Sequence, residues 1–179
     1  MINSISIKNF KNLENLKIPS LKRVNLITGK NNTGKSSLLE AFSLIAFEGN
    51  PFFIATLLDE RGEDYSKHIS DYDLGNGYMK EKVNYSAQNL NLKSLYSLFY
   101  KRNLSSDKKE IEIISIGENL SKLRLNLINY EEKKVFDKEG SPIGQKKIAS
   151  KNTENNFALE IDFQGTERHH NLIPLNENH

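Results

Sequence analysis

The feature that most constrains this chain is a glycine-rich loop between an apolar run and a helix-periodic segment. The stretch from Gly29 to Ser36 matches the pattern G-x-x-x-x-G-K-S without a mismatch. In a strand–loop–helix context this pattern is typical of a phosphate-binding loop. Gly29 and Gly34 let the backbone turn without a Cβ clash and approach a phosphate closely. The sequence therefore predicts an anion-binding loop whose next helix points its first N–H groups at the same anion.

The residue types of this loop predict a role for each position. Backbone N–H groups of residues 31–36 can form an anion nest. Lys35 is expected to reach the β- and γ-phosphates, and the Ser36 hydroxyl is expected to ligate Mg²⁺. The alternative is a Gly- and Asn-rich turn that contains Lys-Ser by chance. The predicted nucleotide-binding residues are Gly29, Asn31, Asn32, Thr33, Gly34, Lys35, Ser36 and Ser37.

Composition places few other limits on function. The chain has 179 residues, enough for one domain with a hydrophobic core. Its net charge is only +2, so charge alone does not indicate a nucleic-acid-binding protein. The absence of cysteine excludes disulfides and thiolate metal sites and agrees with a reducing cytosol. No apolar run approaches the length of a membrane span, and the N-terminus lacks a signal-peptide pattern, so we expect a cytoplasmic protein without a membrane partner.

The first third of the chain is predicted to form two paired strands, a central strand and a helix. Residues 2–8 alternate apolar and polar side chains, and residues 13–18 suggest a second strand antiparallel to the first. Residues 23–28 are apolar on both faces, as expected of a central strand. The segment 34–47 is apolar nearly all round, which predicts a helix that is buried deeply between sheet layers and ends before Pro51.

The segment 52–60 is open to two interpretations. Its apolar residues before Asp59 and the following Glu have the pattern of a Walker B strand, which carries a Mg²⁺-binding carboxylate. Asn50 as N-cap, Pro51 at the first helical position and Gly62 after the end instead predict a helix. Because these capping signals are complete, we favour the helix.

The second half of the chain changes to a period of two, which predicts an antiparallel meander with one solvated face. Before it, residues 63–93 read as an irregular surface loop and residues 92–100 as a short helix. Strands are predicted around 110–116, 123–127, 134–136 and 157–163.

These elements predict an α/β fold. We expect a P-loop core over 1–62, an irregular loop and short helix over 63–109, and an antiparallel β lobe over 110–179. The first and last of these regions are expected to form one domain.

Three stretches of the first 48 residues resemble the start of ABC-type ATPase heads. They are Ile5-x-Ile7-x-Asn9-Phe10-Lys11-x-Leu13, the run from Val24 to Gly29, and the run from Asn31 to Ala41. They are similar to the RecF, SMC and Rad50 proteins and, more closely, to the OLD-like ATPases and the bacterial AAA_15 group. The later stretch 95–100, followed by 111–113, also resembles the AAA_15 group.

This resemblance implies the N-terminal part of a P-loop NTPase head, with a mixed sheet around a buried P-loop helix, that binds ATP and Mg²⁺. It also implies that Lys11 lies near the nucleotide and that Asn32 takes a position where many such heads have Gly. Asn tolerates a left-handed backbone, so the loop can form. Assembly through the head, as a homo-oligomer or hetero-complex, is implied too, as is a role in anti-phage defence beside a nuclease or toxin.

A complete head of this kind carries further motifs that are not found here. They are a Ser-Gly signature, a Walker B Asp-Glu, a D-loop and a switch His, so the catalytic residues stay unknown and the chain resembles the front half of a head. Asp59 lies only about 24 residues past Lys35, which is too early for that Walker B motif. Asp162 ends an apolar stretch, but Phe163 follows where a catalytic Glu would stand.

Three functions stay open at this point. The first is an ATP·Mg²⁺-binding half whose hydrolysis needs motifs from missing sequence or a partner, in defence or DNA maintenance. The second is a complete small P-loop enzyme of the kinase or GTPase sort, with Asp59 as the Mg²⁺-binding carboxylate. The third is a non-hydrolysing scaffold that uses nucleotide only to assemble.

Two further groups of polar residues are candidate sites. His169 and His170 are adjacent and lack the spacing of a helical metal pair, so we expect surface residues. Short basic runs could contact DNA, although such runs on loops are usually only solvated. The basic residues concerned are Lys101, Arg102, Lys108, Lys109, Lys146, Lys147 and Lys151.

Overall fold

A computed structural model describes residues 1–62, 90–103, 110–150 and 156–175. Most of the predicted irregular loop over 63–93 therefore lies outside the described residues. Three of the basic residues weighed as DNA contacts, Lys108, Lys109 and Lys151, lie outside them as well.

The chain begins with the predicted antiparallel pair. Strand β1 (Ser4–Phe10) pairs with β2 (Leu13–Ile18), with Ile7 opposite Leu16. Ile5 and Ile7 are buried while the polar residues between them face outward, because successive side chains of a strand point to opposite faces. The prediction of this pair is confirmed, with β1 shifted by about two residues from the expected bounds.

One sheet joins the two ends of the chain. Strand β3 (Glu110–Ile116) pairs with β1 on one side and with β4 (Leu120–Phe136) on the other. Strand β6 (Phe157–Gln164) pairs with β4, and β7 (Arg168–Pro174) pairs with β6. Every pairing among the described residues is antiparallel, so the mixed sheet expected around the helix is not seen in this part of the chain.

The meander of the second half is longer than predicted. Residues 134–136, expected as a separate strand, are the end of β4, a single strand of 17 residues. Beyond Tyr130 this strand leaves the main sheet and forms a hairpin with β5 (Pro142–Ala149). Strands β5 and β7 were not predicted, because their polar and exposed side chains carry little of the apolar alternation that marks a half-buried strand.

Helix α1 (Lys35–Ala46) packs one face on the sheet. Leu38, Ala41, Leu44 and Ile45 are buried on that face, whereas Leu39 is exposed. The expectation of a helix buried deeply between sheet layers is therefore wrong for the described residues. The apolar composition of this segment predicts a second layer over the outer face of α1. The described residues do not form such a layer.

Helix α2 (Pro51–Glu60) settles the ambiguity of the segment 52–60 in favour of a helix. The Asn50 side chain accepts hydrogen bonds from the backbone N–H groups of Phe52 and Phe53, and Pro51 occupies the first helical position. An N-cap of this kind typically contributes about 1 kcal/mol. Gly62 follows the helix with a φ of 65°, as the C-terminal signal indicated.

The helix predicted over residues 92–100 is shorter in the structure. Helix α3 (Leu92–Tyr96) is capped by the Asn91 side chain, which accepts from the Lys93 backbone N–H. The chain then turns, and Tyr100–Arg102 form one 3-10 turn instead of continuing the helix to residue 100. Lys101 and Arg102 both have a φ of 53°, which an α-helix does not allow.

The predicted central strand over 23–28 is wrong for the described residues. Residues 25–29 have no regular secondary structure, and Val24 and Leu26 are 85% and 89% exposed. None of the described residues pairs with this segment as a strand. A central strand needs neighbours on both sides to satisfy its backbone groups and bury its side chains, and the described part of the chain supplies neither.

The turn after α1 gives a test of how tightly the helix is held on the sheet. Gly49 has a φ of 69°, and a Cβ placed there would lie 2.5 Å from Leu123 Cδ1. We expect Gly49→Ala to destabilise the fold through the left-handed backbone, by about 1–2 kcal/mol, and through overpacking, by a further ~1–3 kcal/mol. The matched control is Gly140→Ala, because Gly140 has a φ of 83° and nothing within 4 Å of the added Cβ.

Urea unfolding at equilibrium measures both variants of this test. Gly140→Ala should show only the backbone cost, and Gly49→Ala should be clearly less stable. Equal losses in the two variants would contradict the packing of the α1 C-terminus against the sheet.

Candidate functional site

The glycine loop, residues 29–36, lies between β2 and α1 on the surface of the molecule. Residues 31–33 are exposed, and the helix begins at Lys35. Asn32 has a φ of 62° and Gly34 a φ of 95°. The left-handed conformation expected for Asn32 is therefore present, at a position where a short polar side chain tolerates it.

The turn between β1 and β2 supports the glycine loop from beneath. Asn12 Nδ2 donates a hydrogen bond to the carbonyl oxygen of Asn32 at 3.3 Å. A Cβ on Gly34 would lie 2.9 Å from Leu13 Cδ2 and 3.0 Å from Asn12 Oδ1. Position 34 thus requires glycine for two reasons, its positive φ and the close approach of the β1–β2 turn.

The Lys35 side chain folds back over the glycine loop. Its Nζ donates to the carbonyl oxygens of Gly29 and Lys30, at 2.8 and 2.5 Å. Thr33 Oγ1 donates to the same Lys30 carbonyl at 2.8 Å. The ammonium group is therefore held across the loop, within the ring of backbone that the motif predicts to surround a phosphate.

The N-terminus of α1 carries the features of an anion site. Gly34 is the N-cap, no side chain caps the helix within the described residues, and its first turn contains no acidic residue. The unpaired N–H groups and the positive dipole end are thus left to attract an anion. The Ser36 side chain is exposed, whereas Ser37 is buried against the body of the domain.

The Asn9-Phe10-Lys11 stretch of the resemblance has a separate structural role for each residue. Asn9 Nδ2 donates to the Glu110 carbonyl oxygen at 3.0 Å, and Phe10 is fully buried. Lys11 Nζ lies 2.7 Å from Glu40 Oε2 on α1. Its side chain is therefore oriented along the helix that follows the glycine loop.

Glu40 binds two cations from different elements. Besides Lys11, it forms an ion pair with Arg61, just after α2. The carboxylate is only 12% exposed, so the two cations compensate the cost of burying its charge. The sequence did not predict a role for Glu40 or Arg61. The one signal for Glu40 is that it lies in the segment Ser-Leu-Leu-Glu-Ala, within the run from Asn31 to Ala41 that resembles ABC-type ATPase heads.

Neither of the candidate Walker B carboxylates has the setting that this motif requires. Asp59 lies in the last turn of α2, on a helix and not on a strand beside residues 23–28. Asp162 is on β6 and pairs with Arg124 on the neighbouring strand. Within residues 1–62, 90–103, 110–150 and 156–175, no three His, Cys, Asp or Glu side chains come together as a metal site.

The two adjacent histidines point to different partners. The His169 ring stacks on Phe163 at 5.0 Å between centroids, and its Nε2 lies 3.0 Å from the Glu48 carbonyl oxygen. His170 Nε2 lies 2.9 Å from Glu160 Oε1. Because successive side chains of β7 face opposite sides of the sheet, they do not form a joint site. His170 is exposed as expected, and His169 is only partly so.

The sequence profile of the AAA ATPase domain, AAA_15, matches residues 1–177. The chain belongs to this AAA ATPase domain family. It is 34% identical to an uncharacterized protein of Methanocaldococcus jannaschii over 131 residues, 72% of this chain and 48% of that protein. It is 29% identical to an ATP/GTP phosphatase of Helicobacter pylori over 89% of this chain and 36% of that protein.

A third relative in this family group is longer still. The DNA double-strand break repair Rad50 ATPase of Methanococcus maripaludis is 32% identical over 46% of this chain and 8% of that protein. The chain thus spans about half the length, or less, of the curated relatives it matches. No solved structure matches the chain. None of the helices among the described residues is long and apolar enough to cross a membrane.

The environment of Asp162 shows that this carboxylate stabilises the sheet. Burial raises its pKa, but the hydrogen bond and charge of Arg124, together with Gln164 and the charge of Arg168, lower the pKa overall. Gln164 Nε2 donates to the same carboxylate at 3.3 Å and adds to the lowering. Asp162 therefore contributes stability above the ordinary carboxyl pKa of about 4, and that stability is lost as pH falls through the lowered value.

We expect Asp162→Asn to lower the free energy of unfolding at pH 7 by about 1–3 kcal/mol, less than a fully buried pair because Arg124 is partly exposed. Urea unfolding between pH 7 and pH 3 measures the difference from the parent chain, which should shrink below about pH 4 as the parent's carboxylate is protonated. Glu118→Gln, which removes the same charge from an exposed residue, is the control. A loss that stays constant down to pH 3 would contradict the ion pair as its cause.

Proposed function

We propose that this AAA ATPase domain binds ATP·Mg²⁺ through Gly29 and residues 31–37, as the N-terminal portion of an OLD-like ATPase. One observation supports this most directly. The left-handed turn at Gly34 leads straight into a helix that no described side chain caps, with the Lys35 ammonium held across the loop. A phosphate bound there would meet the N–H groups of the first turn, the positive end of the helix dipole and the lysine.

Each residue has a defined task in this proposal. The N–H groups of residues 31–36 surround the β-phosphate, and Lys35 exchanges its carbonyl partners for the β- and γ-phosphate oxygens. The exposed Ser36 hydroxyl ligates Mg²⁺, and the ion would screen the charge between the two phosphates. Lys11, held on Glu40, contributes positive charge beside the first turn of α1.

We propose further that hydrolysis needs residues outside those described here. Of the two candidate Walker B acids, Asp59 lies on a helix and Asp162 pairs with Arg124 on β4. Without such an acid and a catalytic Glu, the Mg²⁺ lacks an anchor and the attacking water is not oriented. The exposed apolar segment 23–28 supports this, since strands from further sequence or a partner subunit would cover it. The longer relatives have sequence from which such strands could come.

The alternative of a complete small kinase- or GTPase-like enzyme lacks the strand on which it depends. It required a strand over 52–58 that ends in the Mg²⁺-binding Asp59, and this segment is a helix. A nucleotide-dependent scaffold without hydrolysis stays compatible with the same loop. A role in DNA maintenance has support from the Rad50 relative, whereas anti-phage defence and a nuclease or toxin partner follow only from the OLD-like resemblance.

Nucleotide binding is tested with Lys35→Ala and the matched control Lys30→Ala. Lys30 is in the same loop and carries the same charge, but only its backbone carbonyl contacts Lys35. Loss of a charge-assisted contact should weaken ATP·Mg²⁺ binding by about 10- to 100-fold in Lys35→Ala. Isothermal titration calorimetry on the 179-residue chain measures this. An unchanged Kd in Lys35→Ala, or an equal loss in Lys30→Ala, would show that the loop does not bind as proposed.

Turnover by the same chain should be weak or absent. Phosphate release from ATP, assayed on monodisperse protein, is expected to stay near the background that Lys35→Ala shows. The physical reason is that hydrolysis needs an acid that anchors Mg²⁺ and a group that orients the attacking water, and neither Asp59 nor Asp162 has the setting of a Walker B acid. Robust hydrolysis that Lys35→Ala abolishes would overturn the need for further residues.

A further inference from the structure

A cavity of about 430 Å³ opens beside the glycine loop, between the β1–β2 turn, α1, the end of α2 and the chain around residue 100. Its volume is in the range of small-molecule sites. Most of the residues that line it are polar or cationic. The lining residues are Lys11, Asn12, Ser37, Arg61, Ser97, Phe99, Tyr100, Lys101 and Arg102.

Backbone pairing fixes one wall of this cavity to the β1–β2 turn. The Lys11 N–H donates to the Leu98 carbonyl at 2.8 Å, and the Lys101 N–H donates to the Lys11 carbonyl at 3.3 Å. Phe10 and Phe99 form an isolated antiparallel bridge beneath, and both rings are buried. The segment around residue 100 is therefore a fixed part of the site.

Left-handed backbone is concentrated at this wall. Lys11, Lys101 and Arg102 all have a φ between 52° and 53°. Such conformations in long side chains are unfavourable and tend to persist where the surroundings hold them, often at ligand sites. Here they turn three basic residues toward one cavity.

The charge of the cavity favours an anionic or electron-rich ligand. Four cationic side chains line it, and within the described residues Glu40 pairs with two of them, Lys11 and Arg61. Lys101 Nζ lies 5.1 Å from the centroid of the Tyr100 ring. Lysine, arginine and an aromatic ring are the side chains that bind a phosphate and the face or edge of a base.

Two of the residues that line the cavity adjoin the glycine loop. Ser37 directly follows the proposed Mg²⁺ ligand Ser36 and lines the cavity. Asn12 lines it too and donates to the loop carbonyl of Asn32. Because Lys35 and Ser36 serve the β- and γ-phosphates and their metal, the next residue along the helix faces the remaining end of the nucleotide.

We propose that this cavity binds the nucleoside and α-phosphate end of the nucleotide, with Tyr100, Lys101 and Arg102 as its outer wall. The inference rests on the proposed function and assigns the basic pair 101–102 to the nucleotide instead of to DNA. A concave site that ends beside the glycine loop, at Asn12 and Ser37, suits one nucleoside. A nucleic-acid backbone would instead need cations spread along an open surface.

The experiment compares ATP with inorganic tripolyphosphate, which carries the phosphate chain but no nucleoside. The test variant is Lys101→Ala with Arg102→Ala. The control is Lys146→Ala with Lys147→Ala, which removes an adjacent basic pair of the same charge from β5. Titration calorimetry with Mg²⁺ gives the Kd of each ligand, and a second variant, Tyr100→Leu, tests the ring.

In the test variant and in Tyr100→Leu we expect ATP binding to weaken by about 5- to 100-fold, the range of base-stacking and ionic contacts. Tripolyphosphate binding should change by less than about 3-fold in the same variants, which also shows that the glycine loop is still folded. The β5 control should bind both ligands as the parent chain does.

Each other outcome is decisive. An unchanged ATP affinity in both cavity variants overturns the assignment, as does an equal loss for ATP and tripolyphosphate. Weaker binding of a labelled DNA duplex with unchanged ATP binding would overturn it in favour of nucleic acid. If the parent chain binds neither ATP nor tripolyphosphate, the proposed function itself fails, and this result is distinct from the others.

Discussion

The pairing of β1 with both β2 and β3 is the interaction on which the rest of this structure depends. It joins the start of the chain to the strands of the second half in one antiparallel sheet. It also sets the β1–β2 turn directly beneath the glycine loop, where Asn12 and Leu13 approach Gly34 so closely that no side chain fits there. The sheet therefore supports α1 and positions the loop that precedes it. A helix of this length would be marginal by itself in water, because most helical stability in proteins comes from packing.

Charge at the site is balanced around Glu40. Its carboxylate holds Lys11 from the β1–β2 turn and Arg61 from the end of α2, so three elements meet at the first turns of α1. The same arrangement turns basic side chains toward the cavity beside Ser37. A buried carboxylate with two cations leaves a net positive surface, which is the electrostatic condition for a polyphosphate ligand. In the proposed function, the residues that support the structure are therefore also those that attract the ligand.

Prediction from the sequence succeeded where the signal was local. The Asn50-Pro51 cap decided α2, since a side-chain oxygen within two residues of free N–H groups is a short-range interaction. The strands β1, β2, β3 and β6 followed from alternation of side chains. It failed for residues 23–28, because a central strand exists only when neighbours pair with it. It also missed β5 and β7, whose pairing is set by β4 and β6 and not by their own polar sequences.

The sequence by itself determined the family, the glycine loop and the helix after it, because the motif and the sequences that flank it are contiguous along the chain. Tertiary structure alone decided which residues surround that loop. Glu40 with Arg61, and Lys11 with the turn at Lys101, are separated by long stretches of chain and carry no shared pattern. Glu40 meets Arg61 because α1 and α2 pack together, and Lys11 meets Lys101 because the Phe10–Phe99 bridge holds residue 100 against the β1–β2 turn. Such contacts depend on how the elements pack, and linear spacing does not encode them.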